Sequence, residues 1–486
     1  MSAEKVKKNV HLHAAKTQGK TQTRITNPTA EQHAKKSSRH IRLSPAHVFS
    51  IGFLSIILFG SLLLMLPAAS QSGNVTPFPD TLFTAVSATC VTGLTVVDTG
   101  IHWTLFGQIV ILCMIQIGGL GFMSFALQLL GAFGKRISPR MRALAAQSFG
   151  LETVEGTQKF IRRILIGTAV IEGCGALLLM IRTIPMLGIG RGIFTGIFLS
   201  VSAFCNAGFD PLGGYATGAF SSLTELGADP LLLLVLSLLI ILGASGFLVW
   251  NDIWEWLRSR KRISMYTRFV LTITVGLLGF GMLLIAVLEW NNPDTIGGLP
   301  IWQKLLHAFF QSVTPRTAGF DAIGQNAMLD VTKALCMLLM FIGGASGSTA
   351  GGAKISTVGV AFAAVWSTMR GRRDIRVMRR TVTNDTVRRA LCIIGFLLAA
   401  IFICASLIAV WDGVSMEGAL YECFSAFCTV GLSLGLTPTL GIASRVLLIV
   451  AMYMGRVGIL TLSYVLLRRD REEESVRYPE AKLLIG

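Results

Sequence analysis

Long uncharged apolar blocks are the feature that most restricts what this chain of 486 residues can fold into. At least eight blocks, such as 45–66, 107–133 and 231–250, provide the roughly 20 apolar residues that a helix needs to cross a membrane. Only 14% of the residues are charged, whereas soluble domains carry about 25%. The sequence therefore predicts an all-α polytopic membrane protein, surrounded by membrane lipids.

Four short segments resemble one another and divide the chain into repeats. They are SATCVTGL at 87–94, SAFCNAGF at 202–209, TPRTAGF at 314–320 and SAFCTVGL at 425–432. Their glycines Gly93, Gly208, Gly319 and Gly431 follow one another at intervals of 115, 111 and 112 residues. A motif that recurs at nearly constant spacing indicates four copies of one structural unit.

Each repeat is predicted to contain a first span, a short pore helix, the glycine segment and a second span. The first spans are 46–66, 160–181, 268–290 and 388–411, and the second spans are 104–133, 229–257, 331–368 and 440–467. The pore helices at 79–89, 192–204, 301–313 and 415–427 are too short to cross and must be re-entrant. The repeats are assigned to 45–135, 136–258, 259–370 and 371–486, eight spans around a central pore.

The net charge of +17 is concentrated on alternate connections between the spans. Basic residues cluster at 135–163, 258–268 and 370–389, while the intervening connections are acidic or neutral. This pattern follows the positive-inside rule and predicts a plasma (inner) membrane protein with both termini in the cytoplasm. Residues 1–44 are predicted to be a disordered basic tail near anionic lipid. Nucleic-acid binding would require a compact basic domain, which the sequence lacks.

The glycine segments indicate an ion pore. Irregular backbone inside a membrane is tolerated only where protein buries it or water reaches it, so four re-entrant segments imply a wet axis. Helix C-termini carry partial negative charge, and backbone carbonyls can replace the water shell of a cation. Close helix packing is the alternative role for each single glycine. The predicted K⁺-binding residues are Val91, Thr92, Gly93, Asn206, Ala207, Gly208, Thr317, Ala318, Gly319, Thr429, Val430 and Gly431.

The segments, with TVVDTG, IQIGGLGFM, GGASGSTAGG and the ending RYPE, resemble the Trk/Ktr/HKT potassium transporter superfamily over about 46–486. The greatest resemblance is to its Ktr-type membrane subunits (KtrB). It implies one filter per subunit, preference for K⁺ over Na⁺, a homodimer, and a cytoplasmic nucleotide-binding ring (KtrA-like). The nucleotide would bind that ring, so no cofactor is expected here. A Na⁺-coupled or Na⁺-permeable relative of the same architecture is the alternative.

A glycine-rich stretch and two cations are predicted to form a gate. The stretch 343–352 holds five glycines, which disfavour helix, and is predicted to be an unwound loop that obstructs the pore; a passive kink is the alternative. A charge inside a span usually faces a cavity or a partner. The predicted gate residues are Gly343, Gly344, Ser346, Gly347, Gly351, Gly352, Lys354 and Arg456. Arg316, in the third segment, is expected to bond a carboxylate such as Glu422, and direct contact with the ion is the alternative.

The sequence contains few features that would indicate an enzyme. There is no hydrolase elbow, HExxH motif, phosphate-binding GK[ST] loop or CxxC pair. A membrane-embedded enzyme would need clustered carboxylates or histidines, and a scaffold would not need four pore glycines. The cysteines within apolar spans are predicted to be small buried hydrophobic residues: Cys113, Cys174, Cys336, Cys392 and Cys404.

Overall fold

The computed structural model describes residues 45–121, 156–214, 218–224, 226–227, 229–260, 262–372 and 374–458. The predicted tail 1–44, much of the first basic connection and the C-terminal tail lie outside these residues. The described chain is mainly helical, and each repeat contains a long or apolar first helix, a short helix and a second helix.

The helices follow one another in that order. Repeat 1 contains α1 (Pro45–Leu64), α2 (Phe78–Cys90), the short α3 (Thr99–His102) and α4 (Leu105–Leu120). Repeat 2 contains α5 (Thr157–Leu187), α6 (Ile189–Cys205), α7 (Pro230–Ser245) and α8 (Phe247–Ser259). Repeat 3 contains α9 (Met265–Glu289), α10 (Ile301–Val313), α11 (Asp330–Phe341) and α12 (Ile355–Met369). An antiparallel pair, β1 (Arg376–Val377) and β2 (Arg380–Thr381), precedes α13 (Asn384–Asp412), α14 (Met416–Cys428) and α15 (Ile442–Val457) of repeat 4.

Three of the described helices, α5, α9 and α13, are long and apolar enough to cross a membrane alone. The bent pair α7 and α8 makes a fourth when it is counted as one span. The outward surfaces of these helices carry exposed apolar side chains such as Leu177, Leu283 and Ile403. Such surfaces suit lipid, whose tails are as apolar as leucine. The remaining second helices are shorter, and the total of eight spans stays a prediction.

The pore helices α2, α6, α10 and α14 form the core. At least one large aromatic side chain on each is at most 1% exposed, as Phe83, Phe198, Phe310 and Phe427 show. Every pore helix packs against helices of its own repeat and against the second helix of the preceding one. The latter pairs are α2 with α15, α6 with α4, α10 with α7 and α14 with α11. The four repeats therefore close into a ring, with the pore helices inside.

Within the described residues, the second spans are not single continuous helices. Helices α4, α7 and α15 each end at a glycine, Gly121, Gly246 and Gly458, with φ of 81°, 90° and 89°. These backbone angles strongly favour glycine. The second span of repeat 3 is interrupted by the longer loop 342–354 between α11 and α12. The second spans of repeats 2 and 3 are thus interrupted, and α4 and α15 end at glycines beyond which the chain lies outside the described residues; the sequence pattern singled out only the third span.

Three glycines explain where α4, α7 and α15 end. A β-carbon on Gly118, Gly243 or Gly455 would collide with the carbonyl oxygen of Thr89, Phe204 or Phe427, respectively. Each of these carbonyls lies in the last turn of a pore helix. Because these glycines lack a side chain, the second helix can approach the pore helix. The helix then ends at a second glycine three residues later.

The prediction of buried cysteines is wrong for Cys113, Cys174 and Cys392, which are exposed, while Cys336 is buried and Cys404 is intermediate. A thiol on the outer surface of an apolar helix needs no protein neighbour if lipid covers it. Apolar surroundings along the sequence therefore do not distinguish protein contact from lipid contact.

Candidate functional site

The four segment glycines meet in a closed ring. A β-carbon on Gly93 would lie 2.5 Å from the Ala207 oxygen and 3.2 Å from the Cα atoms of Gly208 and Gly431. On Gly208 it would lie 2.7 Å from the Ala318 oxygen. On Gly319 it would lie 2.5 Å from the Val430 oxygen, and on Gly431 it would collide with the Thr92 oxygen. Each segment glycine therefore lies against the carbonyl oxygen of the residue that precedes the glycine of the next repeat, and the glycine of repeat 4 lies against repeat 1 in the same way.

The four segments share one backbone conformation. Each has two positive φ angles, one at the glycine and one two residues earlier. The earlier residues are Val91, Asn206, Thr317 and Thr429, with φ of 58°, 60°, 68° and 51°. At the glycines φ is 96°, 70°, 79° and 97°. Since non-glycine residues with positive φ are uncommon, four copies indicate a geometry imposed by the tertiary structure. The residue type differs among these four positions, but φ is positive in all four segments.

The ring is suited to a dehydrated cation. The pore helices α2, α6 and α14 end at the cysteine within their segments, and α10 ends at Val313, directly before its segment begins. Their C-terminal carbonyls contribute partial negative charge. The segment carbonyls of four repeats surround one axis, and carbonyl rings of this kind can replace the hydration shell of an ion.

A cavity of about 400 Å³ opens on one side of the ring and is lined by all four glycines. Its other lining residues belong to the connections that follow the segments, including Asp98, Asp210 and Asp321. The Asp321 carboxylate accepts hydrogen bonds from the N–H groups of Ile323, Gly324 and Gln325. These carboxylates both hold the connections in place and make the cavity negative. We refer to this space as the vestibule.

Asp210 is a vestibule acid with a perturbed ionisation. It lies in the connection between α6 and α7. Burial, and to a lesser degree the nearby Asp98, raise the pKa of its carboxyl to about 6. Hydrogen bonds from the Leu212 N–H and the Ser222 side chain lower the pKa and offset part of this effect. Asp210 therefore changes charge near pH 6.

The glycine-rich loop 343–352 lies on the other side of the ring. Its ends are joined by a hydrogen bond of 2.9 Å from the Gly343 N–H to the Ala353 oxygen. Gly351 packs against Thr429 and Gly352 against Cys428, both in the fourth segment. On the repeat 2 side, the Ala345 N–H donates to the Ala244 oxygen at 2.9 Å. The loop is thus held directly behind the segments.

The two predicted gate cations both bond to backbone near this loop. The Arg456 guanidinium donates to the carbonyl oxygens of Thr349 in the loop and of Gly118 at the end of α4. Lys354 donates to the Ala350 oxygen. Arg456 therefore joins the loop to two other repeats, since it belongs to repeat 4 and Gly118 to repeat 1. The remaining predicted gate residues, Gly344, Ser346 and Gly347, accept hydrogen bonds through their carbonyls from Ile355, Tyr266 and Phe247.

Sequence reasoning missed a polar link between the loop and the ring. The Thr349 hydroxyl donates to the Phe204 oxygen at 3.3 Å and to Asn206 Oδ1 at 3.2 Å. Asn206 Nδ2 in turn donates to Thr317 Oγ1 at 3.3 Å. All of these side chains are buried. The sequence predicts only a role for the backbone carbonyl of Asn206, whereas the structure shows that its side chain connects the loop to two segments.

The expected bond between Arg316 and Glu422 is wrong. The Glu422 carboxylate accepts from Ser433, Thr437 and the Leu434 N–H, at 2.6, 2.6 and 3.1 Å. These groups follow the fourth segment, so Glu422 is satisfied within its own repeat. Arg316 is 3% exposed, and its Nε and Nη2 have no hydrogen-bond partner among the described residues.

Comparison with known proteins gives a consistent match. Residues 23–477 match the model of the TrkH family, described as a cation transport protein. The chain is 40% identical over 450 residues to the potassium/sodium uptake protein NtpJ of Enterococcus hirae, covering 92% of this chain and 98% of that one. It is 38% identical to Ktr system potassium uptake protein B of Bacillus subtilis, covering 93% and 99%.

The fold also matches a solved structure. The crystal structure of the potassium transporter TrkH from Vibrio parahaemolyticus aligns with a TM-score of 0.66, covering 88% of this chain and 86% of that one. The sequence identity is 18%, so this likeness concerns the fold.

Proposed function

The chain belongs to the TrkH family of cation transport proteins, and from this premise we propose that it is the membrane subunit of a potassium uptake system. Its named relatives are transporters, and it is a multi-pass membrane transporter and not an enzyme. K⁺ is the transported ion, and the backbone carbonyls of the four segments bind it.

One observation supports the assignment of K⁺ binding to the four segments. Each segment glycine lies against the carbonyl that precedes a neighbouring glycine, so that four repeats share one ring. Carbonyls at such a ring select a cation by replacing its water shell. No side chain is needed as ligand, which explains why Val91, Asn206, Thr317 and Thr429 are tolerated at corresponding positions.

Growth of an uptake-deficient bacterial strain on limiting potassium tests the function. We expect the chain to restore growth at low external K⁺, and ⁸⁶Rb⁺ uptake to rise in the same cells. A variant with Gly431→Asp serves as the inactive control, because its side chain would collide with the Thr92 carbonyl. Growth that depends on expression but is equally supported by this variant would contradict the assigned pore.

Sodium is the second candidate for a role in transport. The relative from Enterococcus hirae is named for both potassium and sodium. Four segment glycines favour K⁺ as the ion that passes, and Na⁺ would then act as a coupling ion or a weaker permeant. Uptake of K⁺ measured with and without external Na⁺ separates these roles.

The assembly follows from the same family relationship. We propose a homodimer with one pore in each subunit, both termini in the cytoplasm of a plasma-membrane protein, and a cytoplasmic nucleotide-binding ring as regulatory partner. The basic connections support this orientation by the positive-inside rule, and a basic face suits an acidic partner. A purified complex in which four copies share one pore would overturn the dimer.

The loop 343–352 and Arg456 are proposed as the gate. The loop lies directly behind the ring and is tied to repeats 2 and 4, so an ion leaving the ring meets it. Arg456 adds positive charge where K⁺ would pass, and its repulsion is strong where the dielectric constant is low. The gate opens when the loop leaves its contacts with Thr429 and Arg456.

Asp210 predicts how uptake depends on external pH. Its pKa of about 6 leaves the carboxylate ionised at pH 7 and neutral at pH 5. Because the ionised form attracts cations into the vestibule, we expect K⁺ uptake at subsaturating K⁺ to fall between pH 7 and pH 5. Asp210→Asn should be less active at pH 7 and should lose this part of the pH dependence. An unchanged profile in the variant would remove Asp210 from the entry path.

A further inference from the structure

Helix α8 is a distinct surface element. It follows α7 after the break at Gly246 and is turned by 96° relative to it. Because α7 is apolar throughout and α8 is mixed in character, the turn favours an arrangement in which α7 crosses the membrane and α8 lies along its surface, in place of one span formed by both.

The inward face of α8 is packed and holds its acidic residues. Phe247 and Val249 are buried. The Asp252 carboxylate accepts from the Thr267 hydroxyl at 2.6 Å, at the start of α9. Glu255 is half-buried and lies 3.9 Å from Arg163 of α5. Asp252 is therefore hydrogen-bonded and Glu255 is paired with a cation within the protein.

The outward face is apolar and basic. Trp254 and Leu257 are 55% and 60% exposed. Leu257 and Arg258 follow Trp254 by three and four residues, about one helical turn, and Arg258 is also exposed. Arg260 and Arg262 continue the basic surface directly after the helix. Tryptophan and leucine beside arginine are typical of helices that lie in the interface of an anionic membrane.

Helix α8 is also connected to the glycine-rich loop. The Phe247 N–H at its start donates to the Gly347 oxygen at 2.9 Å. Tyr266 of α9, which is joined to α8 through Asp252 and Thr267, donates from its hydroxyl to the Ser346 oxygen at 3.2 Å. Movement of α8 therefore changes the hydrogen bonds that hold one side of the loop.

We propose that α8 binds anionic lipid headgroups through Trp254, Leu257, Arg258 and Arg262, and that this binding holds the loop 343–352 in its position behind the ring. The occupant is a lipid surface because the exposed face combines membrane-interface aromatic character with positive charge, while the carboxylates of the helix are turned inward. The regulatory part rests on the proposed function, while the lipid contact does not.

Two measurements test the proposal, starting with lipid contact. The purified protein is placed in vesicles with brominated phosphatidylglycerol, whose bromine quenches nearby tryptophan. We expect quenching that is reduced by Trp254→Phe. The variant Arg258→Gln with Arg262→Gln should weaken the contact by about fivefold for each charge removed. Quenching that is the same in wild type and Trp254→Phe would overturn the contact and favour a protein partner for this face.

The second measurement is K⁺ flux in vesicles of neutral lipid with and without phosphatidylglycerol. We expect the anionic lipid to lower flux, and the double arginine variant to restore it towards the level in neutral lipid. Arg388→Gln with Arg389→Gln is the matched control, because these arginines are exposed near the start of α13 and Arg388 bonds to Asp385 of its own helix. Equal lipid dependence in both variants would overturn the regulation. Absence of flux in every vesicle would instead contradict the proposed function, and the quenching result would still decide the lipid contact.

Discussion

Replacing Gly319 by Ser is expected to lower the preference for K⁺ over Na⁺ by about tenfold, which corresponds to about 1.4 kcal/mol. Gly319 has φ of 79°, and a β-carbon there would lie 2.5 Å from the Val430 carbonyl oxygen. Left-handed backbone costs a residue with a β-carbon roughly 1–2 kcal/mol, and the contact displaces one carbonyl of the ring. A ring with one displaced carbonyl fits K⁺, which is larger and more weakly hydrated than Na⁺, less well.

The measurement is the ratio of K⁺ to Na⁺ flux in reconstituted vesicles. Gly435→Ser is a matched control, because Gly435 has a similar φ of 82° in the connection after the fourth segment, but a β-carbon there would meet open space, with no atom beyond its chain neighbours within 4 Å. The control should therefore carry the backbone strain without displacing a ring carbonyl. Unchanged selectivity in Gly319→Ser, or an equal loss in Gly435→Ser, would contradict the assigned ring.

Deleting residues 346–349 of the glycine-rich loop is expected to raise K⁺ flux at least about tenfold and to make it independent of the regulatory ring. The deletion removes Thr349, whose carbonyl accepts from Arg456 and whose hydroxyl bonds to Asn206. The loop can close again because Gly343 and Ala353 are already hydrogen-bonded at its base. An unobstructed passage would lower the barrier by about 1.4 kcal/mol for each factor of ten.

Potassium uptake into vesicles, with and without the partner, measures this effect. Arg456→Gln should also raise flux, because it removes a charge and the bond to the loop. Arg445→Gln on the same helix is the control, since Arg445 pairs with Asp80 at 2.8 Å, near the start of α2 and away from the loop. If the deletion leaves flux low and still dependent on the partner, the loop is a passive kink.

Much of the architecture is determined by local sequence signals. The repeated glycine segments and the short amphipathic helices before them were located to within about three residues of the observed pore helices, as α10 at Ile301–Val313 illustrates. These features can be recognised from the sequence for two reasons. A pore helix is too short to span the membrane. The positive φ near the end of each segment favours glycine, so a glycine recurs there. The membrane class, the repeat order and the segment glycines therefore came from the sequence by itself.

Other features were decided only by the tertiary structure. The helix ends at Gly121, Gly246 and Gly458 were not predicted, because one glycine in an apolar helix costs only about 1 kcal/mol and does not by itself end the helix. The partners of Arg456 and Arg316 depend on which carbonyls and carboxylates other repeats bring near them. In this chain α4, α7 and α15 end just after they approach the carbonyl ends of the pore helices, and that approach exists only after the four repeats have packed around one axis.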